Sequence, residues 1–493
     1  MNSLVKLSWL SVKKQVMKSY KIMMMLTVLS SSVVTLVGLN SRSITCYLLS
    51  VLLFQYVISI KGKLVAKLRP FVYMQEEYPQ STNPSIIGQK KLCFYLSISP
   101  LLFLVSLYIP WLVLILCLAI YYKSFYIIFE SLVYKDKKTN YTVHALNRYK
   151  PQVAVYVSGL AKVAYQVNQW IPVLEKMPFR CVIVIRSKGV YRGVVNTEIP
   201  IFYAKSMREL EYFEEAGVKV CLYPANTQQN VQFLRLFNIK HIFINHGESD
   251  KVVNQSKFLM AYDYLFLGGS LANRRLLDAG LPVRENQVRF VGRPQTELLL
   301  SRSECTKSIN RILYAPTWEG FVEEANYSSV NDLGYKLIQE LIKRKDTVVY
   351  FKPHPYTGTY GSKNREYLDK IKSLCDGERL LLMGNDSNLY ELMNESDLLI
   401  SDISSVVNEY LYTLKPIVVS NPKGMSRQEY NEKFPTTKAA YLYDDETDIN
   451  ALVDDIIVND NKRCTRIEVC EDSLGPIEES SITKFEKEIS KYL

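Results

Sequence analysis

From residue 151 onward the chain alternates short apolar runs with amphipathic stretches, and no other feature limits its fold as strongly. Val153–Val157, Cys181–Ile185, Val218–Tyr223, His241–Asn245, Tyr264–Leu267 and Val288–Val291 are predicted as strands. Met207–Ala216, Val231–Phe237 and Leu271–Ala279 are predicted as helices. Such alternation implies a parallel sheet covered by helices on both faces. The polar, charged stretch Thr296–Asn310 breaks the pattern and is predicted as a linker. A second set follows, with strands at Arg311–Tyr314, Thr347–Phe351, Arg379–Leu382, Leu398–Ser401 and Pro416–Val419. Its helices are expected at Leu333–Lys343, Asn364–Leu374, Leu389–Asn394, Ser405–Tyr412 and Ile449–Ile457.

The amino-terminal third differs. Ile22–Leu39, Ile44–Ile60 and Leu92–Tyr122 carry no charge, and after Lys123 the apolar pattern continues to Phe129. Such stretches approach the roughly 20 residues that span a bilayer. A cleaved signal peptide is the rival for the first, weakened by the apolar segments downstream. Lys6, Lys13, Lys14, Lys18 and Lys21 precede the first segment, and Lys61, Lys63, Lys67 and Arg69 follow the second. Lys90 and Lys91 precede the third, and Lys135, Lys137 and Lys138 follow it. Positive residues favour the cytoplasmic side, so the amino terminus, the 61–91 loop and everything after residue 135 are expected there. That makes 92–129 a hairpin bent near Pro110; one long tilted helix is the alternative and would place the large domain outside. The net charge of +11 has a membrane explanation, since much of it lies beside the spans. Nucleic-acid binding is not expected, because no basic stripe interleaved with aromatics occurs in the soluble part. The nine cysteines are scattered without a CxxC and read as buried, reduced thiols.

The expected fold is α/β: a GT-B-like pair of Rossmann-like domains with a central cleft, preceded by an α-helical membrane-embedded amino-terminal region. The expected boundaries are 1–135 for the membrane region, 150–295 and 310–460 for the two Rossmann-like domains, and 461–493 for a helical tail. Neither half has a GxGxxG fingerprint or a Walker loop, which disfavours dinucleotide oxidoreductases and P-loop ATPases.

Two of the chain's four histidines follow apolar strands. His246 sits in Asn245-His246-Gly247 after Ile242–Ile244, and His354 in Lys352-Pro353-His354-Pro355 after Val348–Phe351. Open α/β sheets place ligands outside the carboxyl ends of their strands. A strand-end histidine satisfied by local hydrogen bonds is the bland alternative for His246, and an exposed Pro-x-Pro turn for His354. Gly247 lets backbone approach a ligand closely, and flanking prolines present His354 rigidly. Ser404-Ser405 stand at a helix start, where they serve as an N-cap, a phosphate cradle, or both. Asp397 and Asp402 flank one strand and are not expected to converge, so no dedicated metal site is expected.

Read in order, the strand ends resemble the CDP-glycerol glycerophosphotransferase family of teichoic-acid and capsular-polymer synthesis. The matching pieces are His246-Gly247, Gly292-Arg293-Pro294, Tyr314-Ala315-Pro316-Thr317-Trp318, Lys352-Pro353-His354-Pro355, Asp397–Ser405, Glu409-Tyr410 and Lys415-Pro416. The resemblance implies His246 as general base on the acceptor hydroxyl and His354 as the group that stabilises or protonates the reacting phosphate. It places Pro316 and Thr317 at the nucleotide, Lys352 at the diphosphate, Ser404 and Ser405 on phosphate oxygens and Glu409 at the ribose. Asn245, where relatives often have tryptophan, and Gln295, where they have arginine, belong to the same donor-side set and depart from the pattern.

What the resemblance implies is a membrane-bound transferase. It would move glycerol phosphate, or a related alditol phosphate, from a CDP-linked donor to a lipid-linked acceptor or growing polymer and release CMP. No cofactor is implied, and polymer-export machinery is a further expected partner. A nucleotide-sugar glycosyltransferase of the same fold and a catalytically inactive nucleotide- or polymer-binding scaffold are the alternatives.

Overall fold

The computed structural model describes residues 70–75, 110–159, 161–250, 256–299, 308–320, 326–384, 387–476 and 480–493. The spans expected near 22–39 and 44–60, and the 92–109 part of the expected hairpin, lie outside the described residues. The chain divides into one unit of residues 1–70 and 78–141 and a second of residues 71–77 and 142–493. Helix α1 (Pro110–Tyr149) begins in the first. It starts at Pro110, at the position where proline costs no helical hydrogen bond. Among the described residues no helix is long and apolar enough to cross a membrane. The membrane-embedded region expected over 1–135 is therefore not found among them; Lys123, Glu130 and the run Lys135–Lys138 charge the length of α1 beyond its first turns.

The second unit holds two sheets. The first contains β1 (Val72–Tyr73), β2 (Val153–Val157), β3 (Cys181–Ile185), β4 (Ile201–Tyr203), β5 (Val220–Tyr223), β6 (Lys240–Phe243), β7 (Tyr264–Leu267) and β8 (Val288–Phe290), in the order β1-β4-β3-β2-β5-β6-β7-β8. All pairings are parallel except β1 with β4. Helices α2 (Met207–Glu215) and α3 (Ser270–Asp278) belong to this half.

The second sheet contains β9 (Arg311–Ala315), β10 (Val348–Phe351), β11 (Leu380–Leu382), β12 (Leu398–Ser401), β13 (Ile417–Ser420) and β14 (Tyr441–Tyr443), all parallel, in the order β11-β10-β9-β12-β13-β14. Its helices are α4 (Asp332–Leu341), α5 (Ser362–Ser373), α6 (Leu389–Glu395), α7 (Ser405–Tyr410), α8 (Arg427–Lys433) and α9 (Ile449–Val458). Two more helices, α10 (Arg463–Leu474) and α11 (Ser481–Ser490), close the chain.

The period of two along a strand explains why the central strands read as unbroken apolar runs. Val153, Val155 and Val157 of β2 enter one core, while Ala154 and Tyr156 enter the other across the sheet. In β9, Ile312 and Tyr314 face one core and Leu313 and Ala315 the opposite one. Each fully buried Val, Leu, Ile or Phe contributes about 1.5–3 kcal/mol. Helix α11 returns to the first sheet, where Phe485 and Ile489 join its core and Phe485 lies 5.1 Å from the Trp170 ring.

Both sheets share the strand order of the doubly wound fold, which reverses between β2 and β5 and between β9 and β12; ligands bind at such switch points. Several expectations need correction. The strand expected to reach Asn245 stops at Phe243, because Asn245 turns into the left-handed region. The helix expected over Val231–Phe237 ends at Leu234, leaving Phe237 at the surface. β1, β4 and β14 were not anticipated, being two- or three-residue strands too short to register a period. α8 escaped notice because Tyr430 is its one buried residue. Of the cysteines, Cys181, Cys221 and Cys470 are buried free thiols, but Cys464 is exposed.

Candidate active site

The chain leaves β6 through a tight turn built by Asn245. Its φ of 52° lies in the left-handed region, which asparagine tolerates better than most residues. The Asn245 side chain stabilises the turn by accepting from the backbone N–H of His246 at 2.8 Å and of Gly247 at 3.4 Å. Its carbonyl accepts from the Trp170 indole N–H at 2.7 Å. Asn245 therefore sets the direction of His246, and its side chain is engaged locally. Asn245→Ala is expected to lower stability by about 1–2 kcal/mol, while Asn245→Gly, which meets no Cβ clash, costs less. Urea denaturation of both variants checks this, and equal losses would show that φ is not what asparagine supplies.

The His246 ring is held by the strand next door. Its Nδ1 lies 2.8 Å from the carbonyl oxygen of Pro224, just past β5. A carbonyl can only accept, so Nδ1 carries the proton and the lone pair is on Nε2. Burial, opposed by the Pro224 bond and reinforced by the Arg293 guanidinium, lowers the pKa of His246 to about 4. The ring is thus neutral near pH 7, with a basic nitrogen available.

His354 has the opposite tautomer. Its Nδ1 accepts the backbone N–H of Tyr356 at 3.1 Å, which puts the ring proton on Nε2. Trp318 stacks on the imidazole with ring centroids 6.0 Å apart. The adjacent Glu319 fixes the following loop, its carboxylate accepting from the N–H groups of Gly358 (3.0 Å), Tyr360 (2.9 Å) and Gly361 (3.0 Å). Desolvation opposes ionisation of Glu319, but the backbone donors outweigh it and hold the pKa below the ordinary value.

One residue brings the halves together. Tyr165, in a short helical turn after β2, meets His246 edge-on at 5.5 Å and His354 edge-on at 5.7 Å, both at 81°. Both histidines therefore meet one ring. Tyr165 and Glu319 were not singled out from the sequence. Tyr165 lies in a stretch without clear periodicity and carried no signal; Glu319 had one weak signal, its place directly after the Tyr314–Trp318 motif.

The other implied residues divide. Pro316 and Thr317 lie at the β9/β12 switch point, with the Thr317 N–H donating to Asp402 at 2.8 Å. Asp402 also accepts from the Ser329 N–H at 3.0 Å, whereas Asp397 binds the N–H groups of Asn310 and Arg311 at the opposite end of the strand. Among the described residues no group of three His, Cys, Asp or Glu side chains converges on a metal position. Ser404 is the N-cap residue of α7 without a side-chain capping bond, and its hydroxyl lies 3.2 Å from that of Ser401. Ser405 packs against Gly247, where a Cβ would come within 2.5 Å of its hydroxyl oxygen; glycine here makes room for the other half of the protein. The Lys352 ammonium donates to the Gly384 carbonyl.

Glu409 is buried in helix α7 of the second half. It is 1% exposed, with Oε1 3.4 Å from the Arg293 guanidinium and Oε2 accepting the Tyr390 hydroxyl at 3.1 Å. Arg293 follows Gly292, whose φ is 71°. Gln295 is fully buried, and its amide has no hydrogen-bond partner among the described residues.

Residues 175–442, more than half of the chain, match the family described as CDP-Glycerol:Poly(glycerophosphate) glycerophosphotransferase. Teichoic acid ribitol-phosphate polymerase TarK of Staphylococcus aureus (strain NCTC 8325 / PS 47) is 26% identical over 149 residues, covering 28% of this chain and 27% of that protein. The match thus spans about a quarter of that relative's length. The wall teichoic acid polymerase TagF aligns with a TM-score of 0.46 and 16% identity, over 71% of this chain and 95% of that one. UDP-GlcNAc 2-epimerase from Methanocaldococcus jannaschii aligns with a TM-score of 0.40 and 14% identity, over 69% of this chain and 100% of that one. By the extent of the family match, the chain belongs to the CDP-glycerol:poly(glycerophosphate) glycerophosphotransferase family.

Proposed function

We propose that this chain transfers glycerol phosphate, or a related alditol phosphate, from a CDP-linked donor to the terminal hydroxyl of a lipid-linked acceptor or growing polyol-phosphate chain. The observation that carries the reading is the pair of oppositely tautomeric histidines on the Tyr165 ring. The Nε2 of His246 takes the acceptor proton as the hydroxyl oxygen attacks the alditol-bearing phosphorus. The bond from that phosphorus to the bridging oxygen breaks, and CMP leaves with the electron pair. The Nε2–H of His354 donates to the reacting phosphate, where charge builds up. Pro316, Thr317 and Ser404, at the carboxyl ends of β9 and β12, support a nucleotide position against the second half. In this reading Lys352, whose ammonium donates to the Gly384 carbonyl, contributes its charge to the diphosphate. Attachment to the cytoplasmic face of the membrane is supported by the uncharged segments Ile22–Leu39 and Ile44–Ile60 with their flanking lysines.

Membranes carrying the protein, incubated with CDP-glycerol, CDP-ribitol and UDP-sugars, test the reading. CMP release coupled to acceptor labelling supports it. Release of a nucleoside diphosphate would replace it with glycosyl transfer, and nucleotide binding without release would make the chain a scaffold.

The low pKa of His246 gives a pH signature. In the free enzyme the acid limb of kcat/KM should fall near pH 4, below the ordinary histidine value of 6.5. A bound diphosphate adds negative charge and should raise the pKa. Histidine NMR titration with and without CDP reads both values; an unshifted pKa near 6.5 in the free protein would remove the buried, neutral base. The same group links to stability. Its folded pKa is depressed, so the unfolded chain binds the proton better and stability falls as pH drops from 6.5 towards about 4.

A further inference from the structure

The carboxyl edge of the first sheet carries a run of cations that the transfer chemistry does not use. The loops after β2 (158–164), β3 (186–200) and β4 (204–206) contain Lys162, Arg186, Lys188, Arg192 and Lys205 against a single carboxylate, the exposed Glu198. Lys162, Lys188, Arg192 and Lys205 are exposed. The loops are tied into one surface. The turn Ala161–Ala164 packs against Lys188–Tyr191. The Asn168 side chain donates to the Gly193 carbonyl at 2.9 Å and accepts from the Val195 N–H at 3.2 Å, holding the Arg192 segment beside the Tyr165 turn. Arg186 donates to the carbonyls of Ala204 and Lys205, both at 2.6 Å, joining the β4 loop to the end of β3. Glu209, the first carboxylate after β4, is buried, and one of its oxygens accepts the backbone N–H groups of Lys205 and Ser206.

This arc therefore begins at Tyr165, which touches both histidines, and runs outward along β3 to β4. Lys162 marks its inner end, donating to the Pro355 carbonyl and to Thr359 at 3.4 Å each in the loop that follows His354. A polyanion whose last hydroxyl sits at His246 would find five cations against one carboxylate, Glu198, in these three loops. Cations lining such a path raise the local concentration of an anionic chain in a salt-dependent way.

We propose that the Lys188–Arg192–Lys205 arc is the docking track for the phosphate backbone of the acceptor chain, behind the hydroxyl that is extended. The inference rests on the transferase reading and adds the acceptor's course. It makes acceptor length matter: a one-repeat primer reaches only the histidine end, whereas a long chain engages the arc.

The test uses the full-length protein in membranes and the variant Lys188→Glu/Arg192→Glu/Lys205→Glu. Its neutral counterpart, Lys188→Gln/Arg192→Gln/Lys205→Gln, and a thermal melt exclude misfolding. CMP release from CDP-glycerol is measured with a single-repeat glycerol phosphate primer and with long poly(glycerophosphate). The reversed-charge variant should raise KM for the long acceptor about tenfold or more, with the single-repeat reaction unchanged, and the neutral variant should fall between it and wild type. High salt should bring wild type towards the variant. An unchanged KM for the long chain overturns the proposal. So does loss of binding to anionic-lipid vesicles with polymer KM intact, which would make the arc a membrane contact. Should wild type release no CMP with any acceptor, the transferase reading fails. Fluorescence anisotropy of labelled poly(glycerophosphate) then decides the track separately, with equal binding by wild type and reversed-charge protein refuting it.

Discussion

Replacing His246 with alanine should depress turnover about 10²–10⁴-fold, the range typical of losing a general base, with little change in nucleotide affinity. The Nδ1 bond to Pro224 already fixes which nitrogen is basic, so the loss falls on proton transfer and not on donor binding. Loss of His354 should differ. Its Nε2–H faces the donor phosphate in the proposed reaction, so His354→Ala should weaken donor binding as well as the transition state. Turnover and CDP-glycerol affinity for both variants, with thermal melts, separate the two roles. Activity of His246→Ala should recover little at any pH, because no side chain remains to titrate. Near-normal turnover in that variant would assign the histidine to holding the Pro224 turn.

The parts legible in the sequence were those whose signal is local. β2, β3, β7 and β12 read to the residue because each is buried on both faces and ends abruptly in polar or glycine-containing sequence. Both histidines were legible because a strand end is a position in sequence as well as in space. Their complementary tautomers were not, since they depend on the Pro224 carbonyl and the Tyr356 N–H, which only the folded chain brings near. Glu409 shows the same limit. Its place after Ser404-Ser405 is a local signal, whereas its partner Arg293 lies 116 residues away, and nothing local to either residue announces the pairing.

That pairing carries the largest stability effect expected here. Arg293 pairs with the buried Glu409 of the second half at 3.4 Å, acts electrostatically on the buried Glu248 of the first, and reaches the Ile244 carbonyl at 3.5 Å. Burial raises the pKa of both glutamates and Arg293 opposes the rise. Arg293→Met keeps the packing volume but removes the guanidinium that offsets the charge of both carboxylates, so it should cost about 3–5 kcal/mol, as when one partner of a buried pair is removed. Adding Glu248→Gln and Glu409→Gln should restore most of the loss, because neutral amides need no counter-charge. The pH dependence has a definite sign. With folded pKa values above the ordinary 4.5, the folded state binds protons better than the unfolded chain, and stability falls as pH rises from 4.5 through the folded pKa. Removing Arg293 raises those pKa values further, so the deficit of Arg293→Met should be smaller at about pH 5 than at about pH 8. Denaturant midpoints of wild type, Arg293→Met and the triple variant at both pH values measure this. A loss below about 1 kcal/mol, the scale of an exposed ion pair, would show that the cluster is solvated and does not lock the two halves together.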